Sequence, residues 1–196
     1  MNDSNNKEIN QYQKKKGIRT KHGFWKITDN GLLTSEGNYK YGRKHGLWKE
    51  WYANGQLKFK GKYSTPKETS FQNTKNELWE EWYENGQLKS KGFFHEGIEV
   101  GTHKTWHENG ILSQETFYDI EKNLQQRGYF ASPKKNKKWF KNGKLKSKGL
   151  LFFNHYKEWY QNGSQKRETI NARSNSSGNG FKKEWYENNQ IKKAII

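Results

Sequence analysis

The 196-residue chain contains no cysteine. Disulfide bonds and thiolate metal sites are therefore excluded, and the absence of cysteine fits the cytosol, where thiols stay reduced. Long apolar runs are also missing, and the first residues, Met1 to Glu8, do not resemble a secretory signal. From these absences we expect a cytoplasmic protein with no transmembrane segment.

Groups that commonly carry catalysis are sparse. The chain has only three aspartates, Asp3, Asp29 and Asp119, and none has a catalytic partner nearby in the sequence. His103 and His107 have a zinc-binding spacing for a helix, but on a strand four residues separate the side chains by about 13 Å. His107 instead takes the place that an aromatic residue has in other repeats. We predict no enzyme activity, no metal site and no cofactor.

Aromatic residues take the place of aliphatic ones. Hydrophobic residues make up 30% of the chain, which is low for a folded domain, yet aromatic residues make up 16%. Because each Trp, Tyr or Phe buries roughly 150–250 Å², these side chains can supply the burial that aliphatic residues provide elsewhere. Such a composition favours a thin array of repeats over one compact globule.

The aromatic residues recur in a repeated phrase, in which they precede Asn-Gly and then Leu-Lys. The phrase is clearest at Trp48–Lys58 and Trp79–Lys89. The seven turn pairs are Asn30-Gly31, Asn54-Gly55, Asn85-Gly86, Asn109-Gly110, Asn142-Gly143, Asn162-Gly163 and Asn188-Asn189. Successive turns are 20 to 33 residues apart, and a period in this range is the signature of a repeat architecture.

Each Asn-Gly pair predicts a β-hairpin, because a two-residue type I′ turn needs positive φ at both central positions. With Asn54 and Gly55 there, Trp48 lies opposite Gly61, which leaves room for the indole. Side chains alternate between the two faces of a strand. The predicted faces are Trp48, Tyr52, Leu57, Phe59 and Tyr63 on one side and Lys49, Trp51, Lys58 and Lys60 on the other.

Hairpins joined edge to edge predict an all-β fold, since a single hairpin is only marginally stable in water. We expect an elongated, single-layer antiparallel array of about seven β-hairpin repeats, over residues 23–196. Residues 1–22 are predicted to form a flexible, basic N-terminal tail. The stretches 64–76, 119–136 and 168–179 lack the pattern and are predicted to be loops.

The segment Gly46–Tyr63 follows the pattern G-x-W-x-x-W-Y-x-N-G-Q-L-K-x-x-G-x-F/Y, and Glu77–Phe94 differs from it only at the first residue. This pattern resembles MORN-like repeats, in particular those of the bacterial YwqK-type antitoxin family. The resemblance extends from Gly23 to about Lys193 and weakens from Asn154 onward. It implies a hairpin array that acts as a binding scaffold, and many members resemble antitoxin or immunity proteins. Some eukaryotic MORN arrays are linked to acidic phospholipids.

The net charge of +17 comes from 37 basic and 20 acidic residues. One interpretation is an anionic partner: nucleic acid, anionic lipid or an acidic protein. The other is codon bias, because lysine outnumbers arginine 32 to 5, whereas arginine is favoured where phosphates need bidentate contacts. Both interpretations remain open.

The candidate binding surface is the row of tryptophans that precede the turns, together with nearby lysines. Its predicted residues are Trp51, Trp82, Trp106, Lys58, Lys60, Lys89, Lys91, Lys146 and Lys148. The same indoles can instead stack along the array as a second core, and this packing interpretation is favoured because repeat arrays gain stability from neighbouring repeats. One surface can serve both purposes.

We predict a non-enzymatic scaffold that binds an acidic protein, and the family resemblance implies that this partner is a toxin. The alternative is a peripheral binder of anionic phospholipid or nucleic acid, which uses the basic, aromatic-rich face. Steep salt dependence of binding to DNA or anionic vesicles would favour the alternative.

Overall fold

The computed structural model describes residues 11–15, 18–65, 74–119, 133–150, 153–170 and 180–195. These residues contain no helix, and their fifteen strands confirm the predicted all-β hairpin array. The strands are β1 (Gln11–Lys15), β2 (Ile18–Asp29), β3 (Leu32–Lys40), β4 (Arg43–Trp51), β5 (Leu57–Tyr63), β6 (Lys75–Trp82), β7 (Leu88–His95), β8 (Ile98–Trp106), β9 (Leu112–Tyr118), β10 (Pro133–Trp139), β11 (Leu145–Leu150), β12 (Phe153–Trp159), β13 (Gln165–Ile170), β14 (Phe181–Trp185) and β15 (Ile191–Ile195).

The chain divides into two units, Met1–Ile98 and Glu99–Ile196. In the first unit, β1 to β7 pair antiparallel in chain order. In the second, β8 to β15 pair in the same way.

Four predicted boundaries differ from the observed ones. Residues 11–22, predicted to be part of a flexible tail, form β1 and the start of β2, which pair from Gln11↔His22 to Lys15↔Ile18. The array therefore begins before residue 23, and residues 1–10 lie outside the described part. Strands β6 and β10 begin inside two of the predicted loops, and β13 ends inside the third, at Ile170. The middle of each predicted loop lies outside the described residues.

The turns are of two kinds. Asn30 and Gly31 have φ of 49° and 79°, as a two-residue type I′ turn requires. At Asn54-Gly55 the type I′ prediction is wrong, because only Gly55 has positive φ, at 81°. There the Tyr52 N–H donates to Gln56 O at 2.8 Å and the Gly55 N–H donates to Tyr52 O at 2.9 Å. This pattern is a type I turn followed by a glycine bulge. The five later predicted turns repeat its hydrogen bonds, and in the last of them Asn189, with φ of 67°, takes the place of the glycine.

The longer turn changes which side chains share a face. Trp48 is opposite Gly61, as predicted, but Trp51 is opposite Leu57, and the register shifts at this point. Lys58 is the extra residue, and its Nζ lies 5.7 Å from the ring centre of Tyr52. The predicted positions of Leu57 and Lys58 are therefore exchanged: Lys58 lies on the Trp48 side and Leu57 on the Trp51 side.

One face of the first unit, which we call the packed face, carries Trp25, Trp48 and Trp79, whose exposed fractions are 6%, 0% and 4%. Across the strands these residues alternate with Gly37, Gly61 and Gly92. A Cβ atom on Gly61 would lie 2.3 Å from Cδ2 of Trp79. The glycine therefore makes room for the indole of the next hairpin, not for Trp48 as predicted. The contact joins consecutive hairpins.

Polar groups and lysine stems complete this core. The indole N–H of Trp48 donates to Asn38 O at 2.9 Å, so its burial leaves no unsatisfied donor. Tyr39 packs edge-on against Trp48, with ring centres 4.9 Å apart. Lys44 Nζ lies 4.6 Å from the centre of the Trp48 ring and 2.7 Å from Glu50 Oε1. Among the described residues of this unit no second layer covers the Trp48 ring, and the lysine side chain lies over it instead.

In the second unit, polar residues occupy several of the positions that hold tryptophan and glycine in the first, although Gly149 keeps its glycine position and lies opposite Tyr156. His103 and Asn136 stand at two tryptophan positions, and both are opposite Thr116, which stands at a glycine position. Thr116 is 2% exposed, and its Oγ1 accepts hydrogen bonds from Asn136 Nδ2 at 3.0 Å and from Gln114 Nε2 at 2.8 Å. Hydrogen bonds thus replace ring packing at this position.

The turn asparagines link one hairpin to the next. Asn54 Oδ1 accepts from the Gln56 N–H at 2.9 Å, and its Nδ2 donates to Glu84 O of the next turn at 3.0 Å. The Tyr52 hydroxyl donates to Trp82 O at 2.9 Å. The same links run from Asn109 to Lys141 O, from Asn142 to Gln161 O, from Asn162 to Glu187 O and from Tyr160 to Trp185 O. His107 takes the tyrosine's place, as predicted, and lies 3.1 Å from Trp139 O.

Replacement of Gly61 by alanine should destabilise the protein by about 1–3 kcal/mol, because the new methyl group displaces the Trp79 ring. Thermal or urea unfolding of Gly61→Ala measures this cost. In a Trp79→Phe background the same substitution should cost less than half as much, since the smaller ring has room to move. An equal cost in both backgrounds would contradict the contact between Gly61 and Trp79.

Replacement of Asn54 by aspartate isolates the link between hairpins. Aspartate keeps the Oδ1 acceptor within the turn but places an oxygen against Glu84 O, so Asn54→Asp should cost about 1–2 kcal/mol in urea unfolding. Asn188→Asp is the matched control, because Asn188 Nδ2 contacts Gln190 Oε1 of its own turn at 3.2 Å. The control should cost less than half as much, and equal losses would count against the link.

Candidate binding surface

The second face of the first unit, which we call its open face, carries the predicted tryptophans Trp51 and Trp82. They lie opposite Leu57 and Leu88 and are half-buried. Among the described residues, neither indole is in ring contact with another aromatic side chain, so the predicted stack of indoles is not formed by this pair. Each instead packs within its own hairpin near the turn.

A row of charged residues crosses the open face beside these tryptophans. In strand order the row is Lys26, Glu36, Lys49, Lys60, Glu80 and Lys91. Glu36 pairs with Lys49 at 3.1 Å and Glu80 pairs with Lys91 at 2.9 Å. Lys60 lies directly opposite Lys49, and no carboxylate of the described residues is within ion-pair distance of it. The row is therefore mostly neutralised, and Lys60 keeps an unmatched charge.

Beyond the charged row, the open face exposes apolar side chains. Phe24, Leu47 and Phe93 are 38%, 48% and 51% exposed. Leu47 lies opposite Lys62, and Phe93 lies opposite the half-buried Leu78. The three side chains lie on β2, β4 and β7. Exposed apolar side chains on one face, next to charged ones, are typical of interaction surfaces.

The nine predicted site residues do not form one patch. Trp51, Trp82, Lys60 and Lys91 share the open face of the first unit. Lys58 and Lys89 lie over the rings of Tyr52 and Tyr83, at 5.7 and 5.5 Å, and so belong to the packed side of the turns. In the second unit, Trp106 lies opposite Leu112 and Lys148 opposite Lys137, whereas Lys146 lies 5.5 Å from the Phe140 ring centre. The binding role of these residues remains a prediction.

A second group of lysines entered the predicted site only in part, through Lys146 and Lys148. The segment 133–148 contains eight lysines and no acidic residue. Lys137, Lys148 and Lys157 lie directly opposite one another on β10, β11 and β12. The local density of positive charge along the sequence identifies this segment. The predicted site was instead based on positions that recur from repeat to repeat.

A shallow groove lies beside these lysines, with a volume of about 260 Å³. It is lined by Thr102, Glu115, Phe117, Lys135, Asn136 and Lys137. Phe117 lies opposite both Thr102 and Lys135 and is 41% exposed. The groove therefore places an apolar ring next to two lysines.

The acidic residues nearest to this group are engaged by other lysines. Glu115 Oε2 lies 3.2 Å from Lys104 Nζ. Glu168 Oε1 lies 3.0 Å from Lys157 Nζ and 2.7 Å from His155 Nε2. Although burial acts to raise the pKa of Glu168, hydrogen bonds from Lys157, His155 and Gln165 together lower it. These carboxylates leave Lys135, Lys137 and Lys148 unmatched among the described residues.

No group of three or more histidine, aspartate or glutamate side chains within the described ranges is arranged to hold a metal ion. In those ranges no helix has the length and apolar character needed to cross a bilayer.

Three segments match the model of the MORN repeat variant, at residues 44–64, 78–96 and 99–119. Each match spans two strands and the turn between them: β4–β5, β6–β7 and β8–β9. The chain therefore contains repeats of this type. They form a non-catalytic repeat family whose members generally bind proteins or membranes. No curated protein matches the chain.

The packed face makes the stability of the protein sensitive to high pH. Burial, and secondly the nearby Glu50 carboxylate, raise the pKa of Tyr63 from 10.0 to about 12. Its neutral form is therefore favoured by folding, so its contribution to stability is complete below pH 10 and is lost between pH 10 and about 12.

We expect Tyr63→Phe to show a smaller fall in melting temperature over this range than the parent. Absorbance titration of tyrosinate should also lose one high-pH transition in this variant. Tyr186→Phe is the control, because its side chain is half exposed. If the melting temperatures of both variants fall with pH as that of the parent does, the assignment of the raised pKa to Tyr63 is wrong.

Proposed function

We propose that the chain is a non-enzymatic scaffold that binds a protein partner through the open face of its first unit. The observation that carries this proposal is the combination of half-buried Trp51 and Trp82 with exposed Leu47 and Phe93 on one face. Tryptophans that are partly covered on a rigid sheet suit interface hot spots, which favour large aromatic side chains. Their rigidity also keeps the entropic cost of binding low.

The charge pattern of this face supports an acidic partner that forms ion pairs with only a few of its lysines. Lys49 and Lys91 are already paired with Glu36 and Glu80, so they have little charge left to offer. Lys60 has no acidic partner among the described residues and lies between the Trp51 and Trp82 hairpins. We therefore place the acidic group of the partner opposite Lys60. Long-range attraction by the net charge of +17 adds to the association rate.

A finer proposal concerns the partner. The resemblance to YwqK-type repeats suggests that the partner is a toxin and that this chain is its antitoxin or immunity protein. A scaffold without catalytic groups can neutralise a toxin by covering its active surface, and this requires only tight and specific binding. The sheet face described above is suited to that task.

Affinity capture from the native host, followed by binding kinetics with the recovered protein, tests the proposal. Trp51→Ala/Trp82→Ala should weaken binding by at least tenfold, since loss of a hot spot costs about 2 kcal/mol or more. Lys60→Glu should mainly slow association. Lys58→Glu is the matched control, because it makes the same charge change two residues away on the packed side, and it should have a smaller effect.

Folding of each variant is checked by circular dichroism and thermal unfolding. If the folded variants bind the recovered protein as well as the parent does, the open face is not the binding surface. The toxin proposal has a separate test: expression of the partner alone should stop growth, and co-expression of the parent, but not of the double tryptophan variant, should restore it. A partner that is harmless when expressed alone would contradict the antitoxin role while leaving the scaffold role intact.

A further inference from the structure

The hairpin of β10 and β11 concentrates positive charge on the second unit. The segment 133–148 contains eight lysines and no acidic residue. On the face of this unit that carries Trp106 and Lys148, which we call its open face, Lys137 lies opposite Lys148 and Lys148 lies opposite Lys157. Like charges directly opposite one another on adjacent strands are destabilising. These opposed lysines therefore lower the stability of the folded unit.

Lys157 pairs with Glu168 at 3.0 Å, but the other charges of this row are not matched within the described part of the chain. Lys135, Lys137 and Lys148 are exposed, and no carboxylate there is within ion-pair distance of them. Glu115, the acidic residue opposite Lys137, contacts Lys104 instead, at 3.2 Å. In the first unit, by contrast, glutamates pair with Lys49 and Lys91 in the corresponding row. The second unit thus offers ammonium groups to an external anion.

The groove beside the row adds a surface for ring stacking. Phe117 is 41% exposed, and it lines the groove of about 260 Å³ together with Lys135 and Lys137. That volume is a little below the roughly 300 Å³ at which small-molecule pockets begin, so the groove suits one flat ring and not a larger ligand. An exposed ring between lysines can stack on a nucleobase while the ammonium groups contact phosphates.

We propose that the open face of the second unit, centred on Lys135, Lys137, Lys148 and Phe117, binds single-stranded nucleic acid. The lysine row crosses adjacent strands about 4.8 Å apart, which provides a ladder of flexible cations along which a phosphate backbone can lie. A duplex would hide its base faces from Phe117, and no helix of the described residues is present to enter a groove of the duplex.

Other polyanions fit these features less well. A bilayer would meet the cations, but Phe117 lines a groove beside the lysines, where a flat membrane gains little from it. An acidic protein would form ion pairs with the lysines, but its binding does not require a groove that fits a single flat ring. This proposal concerns the second unit and does not depend on the protein-binding function proposed for the first.

The test is fluorescence anisotropy of the full 196-residue chain with a labelled oligothymidylate of about 20 nucleotides, at several salt concentrations. Lys137→Glu/Lys148→Glu should weaken binding at least tenfold near 100 mM salt. It should also lower the slope of log K against log salt by about 1.4, because each phosphate contact with a single strand contributes roughly 0.7. Phe117→Ser should weaken binding at least fivefold with little change in slope, since it removes stacking and no charge.

Lys26→Glu/Lys60→Glu is the matched control, because it makes the same charge change on the open face of the first unit, at lysines that also lack a carboxylate partner among the described residues. It should weaken binding less than threefold.

Each variant is checked by thermal unfolding, and Lys137→Gln/Lys148→Gln replaces the glutamate pair if that pair does not fold. A photocrosslink from a bromouracil-substituted oligonucleotide to the parent protein should map to β9 or β10, independently of any variant.

Several results would overturn the proposal. Equal weakening by the control pair would mean that net charge alone attracts the strand. Equal affinity for a duplex, together with no effect of Phe117→Ser, would rule out stacking. Binding to vesicles that contain about 30% anionic lipid, or to polyglutamate, without binding to oligothymidylate would assign the site to a membrane or to an acidic protein instead. A crosslink confined to the first unit would also contradict it.

Discussion

On the packed face, the buried Trp48 and Trp79 depend on glycines of the preceding strands, Gly37 and Gly61, because no second layer among the described residues of the first unit covers the sheet. A Cβ atom at Gly61 would lie 2.3 Å from the Trp79 ring, so the indole can lie flat on the backbone only if that side chain is missing. Lys75 closes the contact from above, with its Nζ 4.5 Å from the ring centre. Since the glycine and the tryptophan come from consecutive hairpins, the contact that builds the core also joins the repeats.

The turns provide the second link between repeats and explain why asparagine recurs there. Its side chain accepts a hydrogen bond within its own turn and donates one to the next turn, as Asn54 does to Gln56 N and Glu84 O. The packed side and the turns are occupied by stabilising contacts, and the open faces of the two units are the surfaces that we propose for recognition. They differ in charge: lysines of the first unit are largely paired with glutamates, whereas Lys137 and Lys148 of the second are not.

The sequence was sufficient to predict the hairpins, their pairing of Trp48 with Gly61 and the substitution of His107 for tyrosine, because spacing and strand alternation determine these features. It did not separate a two-residue turn from a three-residue one, since Asn-Gly suits both. Because of this ambiguity, Lys58 and Leu57 were each predicted to lie on the wrong face of the sheet. The pairing of Lys49 with Glu36 joins two consecutive hairpins, and the Phe117 groove depends on contacts between hairpins, so neither could be read from one repeat.

The central claim is that stability resides in the packed face and recognition in the open face. Trp48 and Trp51 test it most directly, because they lie three residues apart on β4 and face opposite sides. Urea unfolding of Trp48→Ala should show a loss of about 3–5 kcal/mol, as expected for a fully buried tryptophan, or leave the protein unfolded. Trp51→Ala should lose less than half as much and retain the β-sheet circular dichroism spectrum. Equal losses in the two variants would contradict the division between the faces.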